Sequence, residues 1–233
     1  VAARPETTTP KFNEIAPPMG ELYANPAASQ AMLDDADFDL EGWLAGEIAA
    51  EFARAEGSAF VNGTGTNQPK GFLGAATSNA ADATRPFGTL QFIVSGNATA
   101  FDTAPELKLI DLVHSLRSGH RQGACFVMNS KTLAAVRKFK AADGSFLWQA
   151  GVMEGQPARL LGYPVVEAED MPDVGANAFR IAGGDFKAGY LIAERKATTI
   201  LRDPFTNKPF VNFYATKRVG GQVLDSDAIK LLK

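Results

Sequence analysis

One apolar stripe, running from Ser29 to Ala59, constrains the fold of this chain more than any other feature of its sequence. Apolar residues recur there at the three- and four-residue spacing of a helix: Leu33, Ala36, Leu40, Trp43, Leu44, Ile48, Phe52, Ala55 and Ala59. Ser29 can cap the start of this helix, and Asp39 can cap it again after a break near Asp37-Phe38, because short polar side chains accept hydrogen bonds from free N–H groups. The spacing predicts a long helix of about seven turns that packs one face on a core.

A glycine-rich loop, AFVNGTGTNQPKGF at residues 59–72, follows the helix and has the composition of a phosphate-binding loop. A phosphate loop needs a helix N-terminus after it, whereas this loop receives the negative C-terminal end of a helix at Gly57 and beyond. Gly63-x-Gly65 lacks the third glycine of the dinucleotide fingerprint, and Lys70 precedes a glycine instead of Ser or Thr. We therefore expect the glycines to stop the helix and turn the chain, with positive φ at Gly63 and Gly65.

The rest of the chain combines further helices with many short strands. Helices are predicted over residues 105–117 and after Asn129-Ser130. Apolar runs predict strands at Leu90–Val94, Cys125–Met128, Leu161–Val166, Phe179–Ala182, Gly189–Ala193, Thr198–Leu201, Phe210–Tyr214 and Ala228–Leu232. Gly183-Gly184-Asp185 is interpreted as a turn between antiparallel strands, with an acid presented at a strand end as the alternative. Helices interleaved with strands and then followed by strands indicate the α+β class.

Charge and apolar content exclude several classes of protein. The 23 basic and 26 acidic residues give a net charge of -3, and no basic tail points to direct nucleic-acid binding. No apolar run approaches the roughly 20 residues that span a bilayer. The lone cysteine, Cys125, excludes an internal disulfide and fits a reducing cytoplasm. We interpret it as a small buried hydrophobe, with a nucleophile as the alternative.

Candidate reactive groups are few. His114 and His120 stand six residues apart and cannot form an i, i+4 pair, so we expect surface or capping positions for both. An acidic group lies near the start of the long helix: Asp34, Asp35, Asp37, Asp39 and Glu41. We attribute this group to the helix dipole rather than to a metal, and Glu47, Glu51 and Arg54 to a solvated helix face rather than to an acid and base pair. No catalytic, cofactor-binding or metal-binding residue is assigned.

Ordered motifs recur along almost the whole chain. They are Ser29-Gln30-x-x-Leu33-Asp34-Asp35-Ala36, Leu40-Glu41-x-Trp43-Leu44, Ala59-Phe60-Val61-Asn62-Gly63-x-Gly65, Pro69-x-Gly71-Phe72-Leu73, Val127-Met128-Asn129-Ser130, Leu161-Gly-Tyr-Pro-Val-Val166, Met171-Pro172, Gly183-Gly184-Asp185-Phe186, Arg218-Val219-Gly220-Gly221 and Ala228-Ile229. Each motif alone is weak. In this order and combination they resemble the tailed-phage major capsid proteins.

The resemblance implies a structural major capsid protein that assembles with itself into the icosahedral shell around phage double-stranded DNA. It implies no enzymatic activity and no cofactor. The expected fold is the α+β phage major capsid fold, with a long spine helix, a peripheral domain and an axial domain. By the same resemblance residues 1–28 are a remnant of the extended loop, 29–74 and 196–219 form the peripheral domain, and 75–195 and 220–233 form the axial domain.

The resemblance also implies partners and a location. The chain is expected to form capsomer pentamers and hexamers with itself, to meet a portal, a scaffold and a maturation protease, and to bind neither membranes nor specific nucleic-acid sequences. It is expected in the virion, assembled in the cytoplasm of a bacterial host. An encapsulin-like nanocompartment shell is the alternative, and a hydrolase or nucleotide-binding enzyme is a third possibility. Family members carry a longer arm and extended loop before the spine helix, so we expect these residues, which begin at Val1, to belong to a longer chain.

Overall fold

A computed structural model describes residues 14–97, 101, 105–139 and 159–233 of the chain. The helices are α1 (Gln30–Asp35), α2 (Leu40–Asn62), α3 (Pro105–Ser115), α4 (Ser118–Arg121), α5 (Ser130–Arg137) and α6 (Phe186–Gly189). The strands are β1 (Met19–Ala24), β2 (Ala27–Ser29), β3 (Thr77–Ser78), β4 (Leu90–Ile93), β5 (Cys125–Met128), β6 (Arg159–Leu160), β7 (Tyr163–Glu167), β8 (Ile181–Gly184), β9 (Tyr190–Asp203), β10 (Phe210–Val223) and β11 (Ile229–Leu232). The expectations for the first residues, including the interpretation of Val1, lie outside the described residues.

The long helix has the two caps and the break that its sequence predicts. The Ser29 side chain accepts a hydrogen bond from the backbone N–H of Met32 at 3.2 Å, which starts α1. After the break, the Asp39 side chain accepts from the N–H of Gly42 at 2.9 Å and starts α2. The helix then runs through Gly57 and stops at Asn62. One glycine in a helix interior costs only about 1 kcal/mol, which the packing of α2 offsets.

β10 is the central strand of a four-stranded antiparallel sheet. β1 pairs with β10 from Met19 opposite Gly220 to Ala24 opposite Ala215, and β9 pairs with the same part of β10 from the other edge. Helix α2 covers one face of this sheet, where Ile48 and Phe52 pack against Ala215. Burial of each large apolar side chain contributes about 1.5 to 3 kcal/mol, so this contact fixes the helix on the sheet.

The prediction of two separate strands at Gly189–Ala193 and Thr198–Leu201 is wrong. The two segments belong to one strand of 14 residues, and the predicted strand Phe210–Tyr214 likewise extends to Val223. The segment between the two predicted strands, Glu194–Ala197, is largely polar because it is exposed, so it carries no apolar pattern. Backbone pairing with β10 continues through it, with a bulge near Arg218.

A second sheet of seven strands has the order β3-β4-β11-β8-β5-β7-β6. β11 is an interior strand of this sheet, parallel to β4 on one side and antiparallel to β8 on the other. Helices α3 and α5 pack on this sheet through Leu112 and Val136, which join Phe126 and Leu232 in one core. The end of α2 reaches the same sheet, since Val61 packs in a second cluster with Leu231. Helices and sheets together confirm the α+β class.

Two local predictions around the second sheet need correction. The predicted strand Leu161–Val166 begins later, at Tyr163, because Leu161 and Gly162 have positive φ of 52° and 86° and turn the chain between β6 and β7. Gly183-Gly184-Asp185 is not a turn between antiparallel strands. The two glycines end β8, and the Asp185 side chain caps α6 by accepting from the N–H of Lys187 at 3.1 Å. Asp185 is thus the N-cap residue of α6, which begins at Phe186.

Candidate assembly surface

The glycine loop after α2 is closed by its own backbone. The N–H of Gly63 donates to the carbonyl of Ala59 and the N–H of Gly71 donates to the carbonyl of Gly63, each at 2.9 Å. The N–H of Lys70 donates to the carbonyl of Gly221 in β10 at 2.8 Å. N–H groups that already donate within the protein do not converge on an anion. The loop therefore joins the end of α2 to the first sheet.

Gly63 and Gly65 are required in this loop for different reasons. Gly65 has φ of 82°, as predicted. The prediction of positive φ at Gly63 is wrong, because its φ is -57°. The constraint at Gly63 is space: an added Cβ would lie 2.2 Å from the carbonyl oxygen of Pro69 and 2.4 Å from that of Ala59. A close approach of backbone to backbone cannot be read from sequence in the way that a turn can.

Tyr190, the first residue of β9, holds the same loop from the side. Its hydroxyl donates to the backbone carbonyl of Lys70 at 2.9 Å, and its ring meets that of Phe60 edge to face at 5.9 Å. Burial raises the pKa of the Tyr190 hydroxyl, so the group stays a neutral donor. Tyr190 thus contacts both helix α2 and the loop from the start of β9.

A network of five charged side chains lies beside the second sheet: Asp82, Arg85, Arg117, Asp227 and Lys230. The Arg85 guanidinium lies 2.5 Å from the Asp82 carboxylate and 2.6 Å from that of Asp227, and the Lys230 ammonium donates to Asp82. The exposed Arg117 contacts Asp227 at 2.8 Å. Because the Arg85 and Lys230 side chains are 1% and 0% exposed, these carboxylates take the place of water around their charges.

The network also shifts its own protonation equilibria. Burial alone would raise the pKa of Asp82, but hydrogen bonds from Lys230 and Arg85 and their positive charges hold it below its usual value. Burial lowers the pKa of Lys230. Sequence analysis missed the network because, except for Asp82 and Arg85, its members come from distant parts of the chain, up to 148 residues apart.

The first sheet and its helices expose many large apolar side chains: Tyr23, Met32, Phe38, Trp43, Ile200, Leu201, Phe205, Phe210 and Tyr214. Trp43 stands on the predicted apolar stripe, yet it is 54% exposed, because only part of the stripe packs on the sheet. Phe205, in the connection between β9 and β10, is 79% exposed. Exposed large apolar side chains that adjoin one another are typical of surfaces that bind another protein.

The residues considered for chemistry are found apart from one another. Cys125 is partly buried, and burial together with the charge of Asp185 raises the pKa of its thiol, which disfavours the thiolate that a nucleophile needs. His114 is exposed, as predicted, and His120 Nε2 lies 3.5 Å from the Asp225 carboxylate.

The acidic and basic residues of the long helix act as a solvated face. Glu51 and Arg54 form an exposed ion pair at 2.7 Å, and Glu47 is exposed, which confirms that interpretation. Within the described ranges, no group of three or more His, Cys, Asp or Glu side chains is arranged to hold a metal ion. Among the helices of those same ranges, none is both long and apolar enough to cross a membrane.

Comparison with known proteins finds the same architecture in viral and virus-like shells. The model of the family described as the phage capsid family matches residues 1–233. The capsid protein of an empty GTA particle is 51% identical, with a TM-score of 0.91, over 100% of this chain and 78% of that chain. The capsid protein of a native GTA particle is 52% identical, with a TM-score of 0.89 and the same coverage.

A more distant solved structure shares the fold alone. The SrpI encapsulin of Synechococcus elongatus PCC 7942 is 14% identical, with a TM-score of 0.64, over 92% of this chain and 73% of that chain. Comparison with curated proteins gave no match.

Proposed function

Because the chain belongs to the phage capsid family and is a major capsid shell protein, we propose that its copies close into an icosahedral shell around double-stranded DNA. The single observation that carries this proposal is the 51% identity to the capsid protein of a GTA particle over the whole chain. The encapsulin is only 14% identical and shares the fold alone, so it gives no comparable reason to propose a protein cargo.

The exposed apolar side chains of the first sheet support self-assembly. Leu201 is 63% exposed and Phe205 is 79% exposed, at the end of β9 and in the connection that follows. In a shell such side chains are buried against neighbouring copies, and each weak contact is reinforced by the others because a closed assembly satisfies them together. A structural protein of this kind needs surfaces rather than reactive groups, and we propose that it has no enzymatic activity.

The division into domains is part of the proposal. Residues 29–74 and 196–219 would form the peripheral domain, 75–195 and 220–233 the axial domain, and 1–28 a remnant of the extended loop. The two sheets support this division, since one packs on α2 and the other on α3 and α5. β9 and β10 continue across the limits near residues 196 and 219, so the domains would be joined by a paired ribbon rather than by a linker.

We further propose capsomer pentamers and hexamers, a portal, a scaffold and a maturation protease as partners, and assembly in the cytoplasm of a bacterial host. These rest on the family resemblance. With a net charge of -3, we propose that DNA enters by active packaging and not by attraction to the protein.

Electron microscopy and nuclease treatment test the function together. The full-length chain, produced in the bacterium that encodes it, should appear as closed shells that retain DNA after external nuclease digestion. Shells that hold protein and no protected DNA would favour the nanocompartment instead, and a chain that forms no shells under any condition would refute both. The double variant Leu201→Ser, Phe205→Ser should fold like the parent but assemble poorly. Its matched control, Glu194→Gln on β9, should both fold and assemble like the parent.

A further inference from the structure

An open hollow lies between α4 and the hairpin of β6 and β7, at one edge of the second sheet. Its volume is about 510 Å³, and the residues that line it include Arg121, Gln122, Arg159, Leu161, Gly162 and Tyr163. Arg121 is the last residue of α4, and Arg159 is the first residue of β6. We call this surface the arginine hollow, because two arginines from separate segments of the chain line it.

The two arginines of the hollow lack carboxylate partners. Four other basic side chains around the second sheet are each paired with a carboxylate: Arg85, Arg117, Lys131 and Lys230. In the part of the chain that the structure describes, no carboxylate forms an ion pair with Arg121 or Arg159. The nearby Asp225 carboxylate lies 3.5 Å from His120 instead. The hollow therefore carries two positive charges that the described residues leave uncompensated.

One hydrogen-bond donor of the hollow is also unused. The Nε of Arg121 is buried and has no hydrogen-bond partner among the described residues. Arg85 likewise leaves its Nε without a partner, but its other nitrogens hold two carboxylates. A buried donor without an acceptor is costly, so Arg121 is suited to an acceptor that another molecule supplies.

The turn of the hairpin places a leucine at the hollow. Leu161 and Gly162 form the two-residue connection between β6 and β7, and their φ values are 52° and 86°. Asparagine or aspartate is favoured at the first position of such a turn, because a short polar side chain tolerates the left-handed conformation. Leu161 is unfavourable for this turn and is 47% exposed. A contact with a ligand explains this leucine better than the stability of the hairpin does.

We infer that the arginine hollow binds the phosphate group of a sugar phosphate. A phosphate monoester carries a charge of about −1.5 to −2 at pH 7, which two guanidinium groups match, whereas one carboxylate would balance only one of them. Two successive phosphates of a DNA strand carry a similar total charge. The planar donors of arginine also fit phosphate oxygens in pairs. Leu161 adds an apolar contact for the carbon atoms of the sugar.

The sugar phosphate has two possible sources, a free small molecule and the backbone of DNA. Binding of a free sugar phosphate is independent of the proposed function, whereas DNA as the source rests on it. In either case the recognition chemistry is the same, because the hollow contacts phosphate and sugar and reads no base.

Substitution of the arginines tests the charge of the hollow. The full-length chain, kept unassembled, is titrated with deoxyribose 5-phosphate. Arg121→Gln and Arg159→Gln should each lower the affinity by about tenfold or more, because each removes charge-assisted hydrogen bonds. Arg159 is exposed, so its variant should keep the unfolding midpoint of the parent. The matched control, Arg195→Gln, removes the same charge from an exposed position on β9 and should bind like the parent.

Two results of this titration would overturn the inference. One is the absence of saturable binding by the parent. The other is equal affinity of the parent and Arg159→Gln, the variant whose folding is not in question.

Leu161→Asn separates a binding role of the leucine from a structural one. Asparagine tolerates positive φ, so the unfolding midpoint of this variant should rise. Its affinity for deoxyribose 5-phosphate should nevertheless fall severalfold, while its affinity for inorganic phosphate should stay that of the parent. An unchanged affinity for deoxyribose 5-phosphate would show that the hollow does not select a sugar phosphate, and would overturn the inference.

A short DNA duplex identifies the source of the phosphate. If the source is DNA, the duplex should bind the parent at low salt at least about tenfold more tightly than it binds the double variant Arg121→Gln, Arg159→Gln. If the double variant loses deoxyribose 5-phosphate but binds the duplex like the parent, the source is a free sugar phosphate. Failure of the parent to form shells would refute the proposed function, but it would not alter binding of deoxyribose 5-phosphate to unassembled chains.

Discussion

The hydroxyl of Tyr190 donates a hydrogen bond of 2.9 Å to the backbone carbonyl of Lys70, across 120 residues of sequence. This bond ties the first residue of β9 to the loop that ends the long helix. The same tyrosine lies against Gly221, where an added Cβ would come within 2.4 Å of the hydroxyl. The three segments that meet here are thus fitted to one another without room for a larger side chain.

We expect Tyr190→Phe to destabilise the protein by about 1 to 3 kcal/mol, because the carbonyl of Lys70 loses its donor in a partly buried place. Tyr214→Phe is the matched control, since Tyr214 lies on β10 with 41% of its surface exposed, and we expect a change of about 0.5 kcal/mol or less. Urea denaturation at neutral pH measures both. Similar free energies of unfolding for the two variants would show that the hydrogen bond is unimportant.

Substitution by alanine should change stability in opposite directions at Gly46, within the long helix, and at Gly63, which follows its end. Gly63→Ala should cost about 1 to 3 kcal/mol, because the new Cβ collides with backbone oxygens that cannot move away. Gly46→Ala should stabilise by about 0.5 to 1 kcal/mol, because an added Cβ meets nothing within 4 Å and alanine favours the helix. Thermal unfolding of the two variants decides the matter, and destabilisation by Gly46→Ala would contradict the helix argument.

The charged network should make stability depend on pH on the acid side. The pKa of Asp82 is lowered in the folded state, so its stabilising contribution is complete above its unfolded pKa of about 3.9 and is lost as the pH falls through the lower folded value. Asp82→Asn should cost about 3 kcal/mol at pH 7, because Arg85 and Lys230 lose a buried partner.

Denaturation midpoints measured between pH 7 and pH 2 test this expectation. The difference between the parent and Asp82→Asn should shrink below about pH 4, where the unfolded parent binds a proton on Asp82 that the folded parent binds only at lower pH. A constant difference over the whole range would mean that Asp82 acts through its shape and not through its charge.

Two of the ion pairs that involve the long helix should differ in their contribution to stability. Glu51 and Arg54 are largely exposed, and we expect Glu51→Gln to change stability by about 0.5 kcal/mol or less. Glu56 lies 2.7 Å from Lys217 of β10 with side chains 14% and 17% exposed, and Glu56→Gln should cost about 3 kcal/mol because it leaves a buried ammonium without its partner. Chemical denaturation measures the free energy of unfolding of both variants. Equal losses of stability in the two would contradict this prediction.

Sequence analysis predicted the local features well. The caps at Ser29 and Asp39 were predictable because a cap and its N–H donor stand three residues apart. Gly65 was predictable from turn chemistry. The constraint at Gly63 was not, because it arises from the approach of Pro69, which depends on how the loop folds back.

Longer-range features could not be predicted from the sequence, because they depend on contacts between residues that are distant along the chain. The continuous β9 could not be recognised because Glu194–Ala197 is exposed and largely polar, and only pairing with β10 keeps it extended. Arg85 and Asp227 are brought together by the second sheet across 142 residues, so neither has a local signal.

The position of β11 between β4 and β8 has a consequence for synthesis of the chain on the ribosome. Residues 229–232 are the strand that joins β4 to β8, so until they emerge the two halves of the second sheet share no backbone hydrogen bonds with each other. At roughly 5 to 20 residues per second, β4 waits on the order of ten seconds for its partner. A product cut before residue 229 lacks β11 and cannot complete this sheet. Formation of the sheet thus depends on the last of its strands to be synthesised.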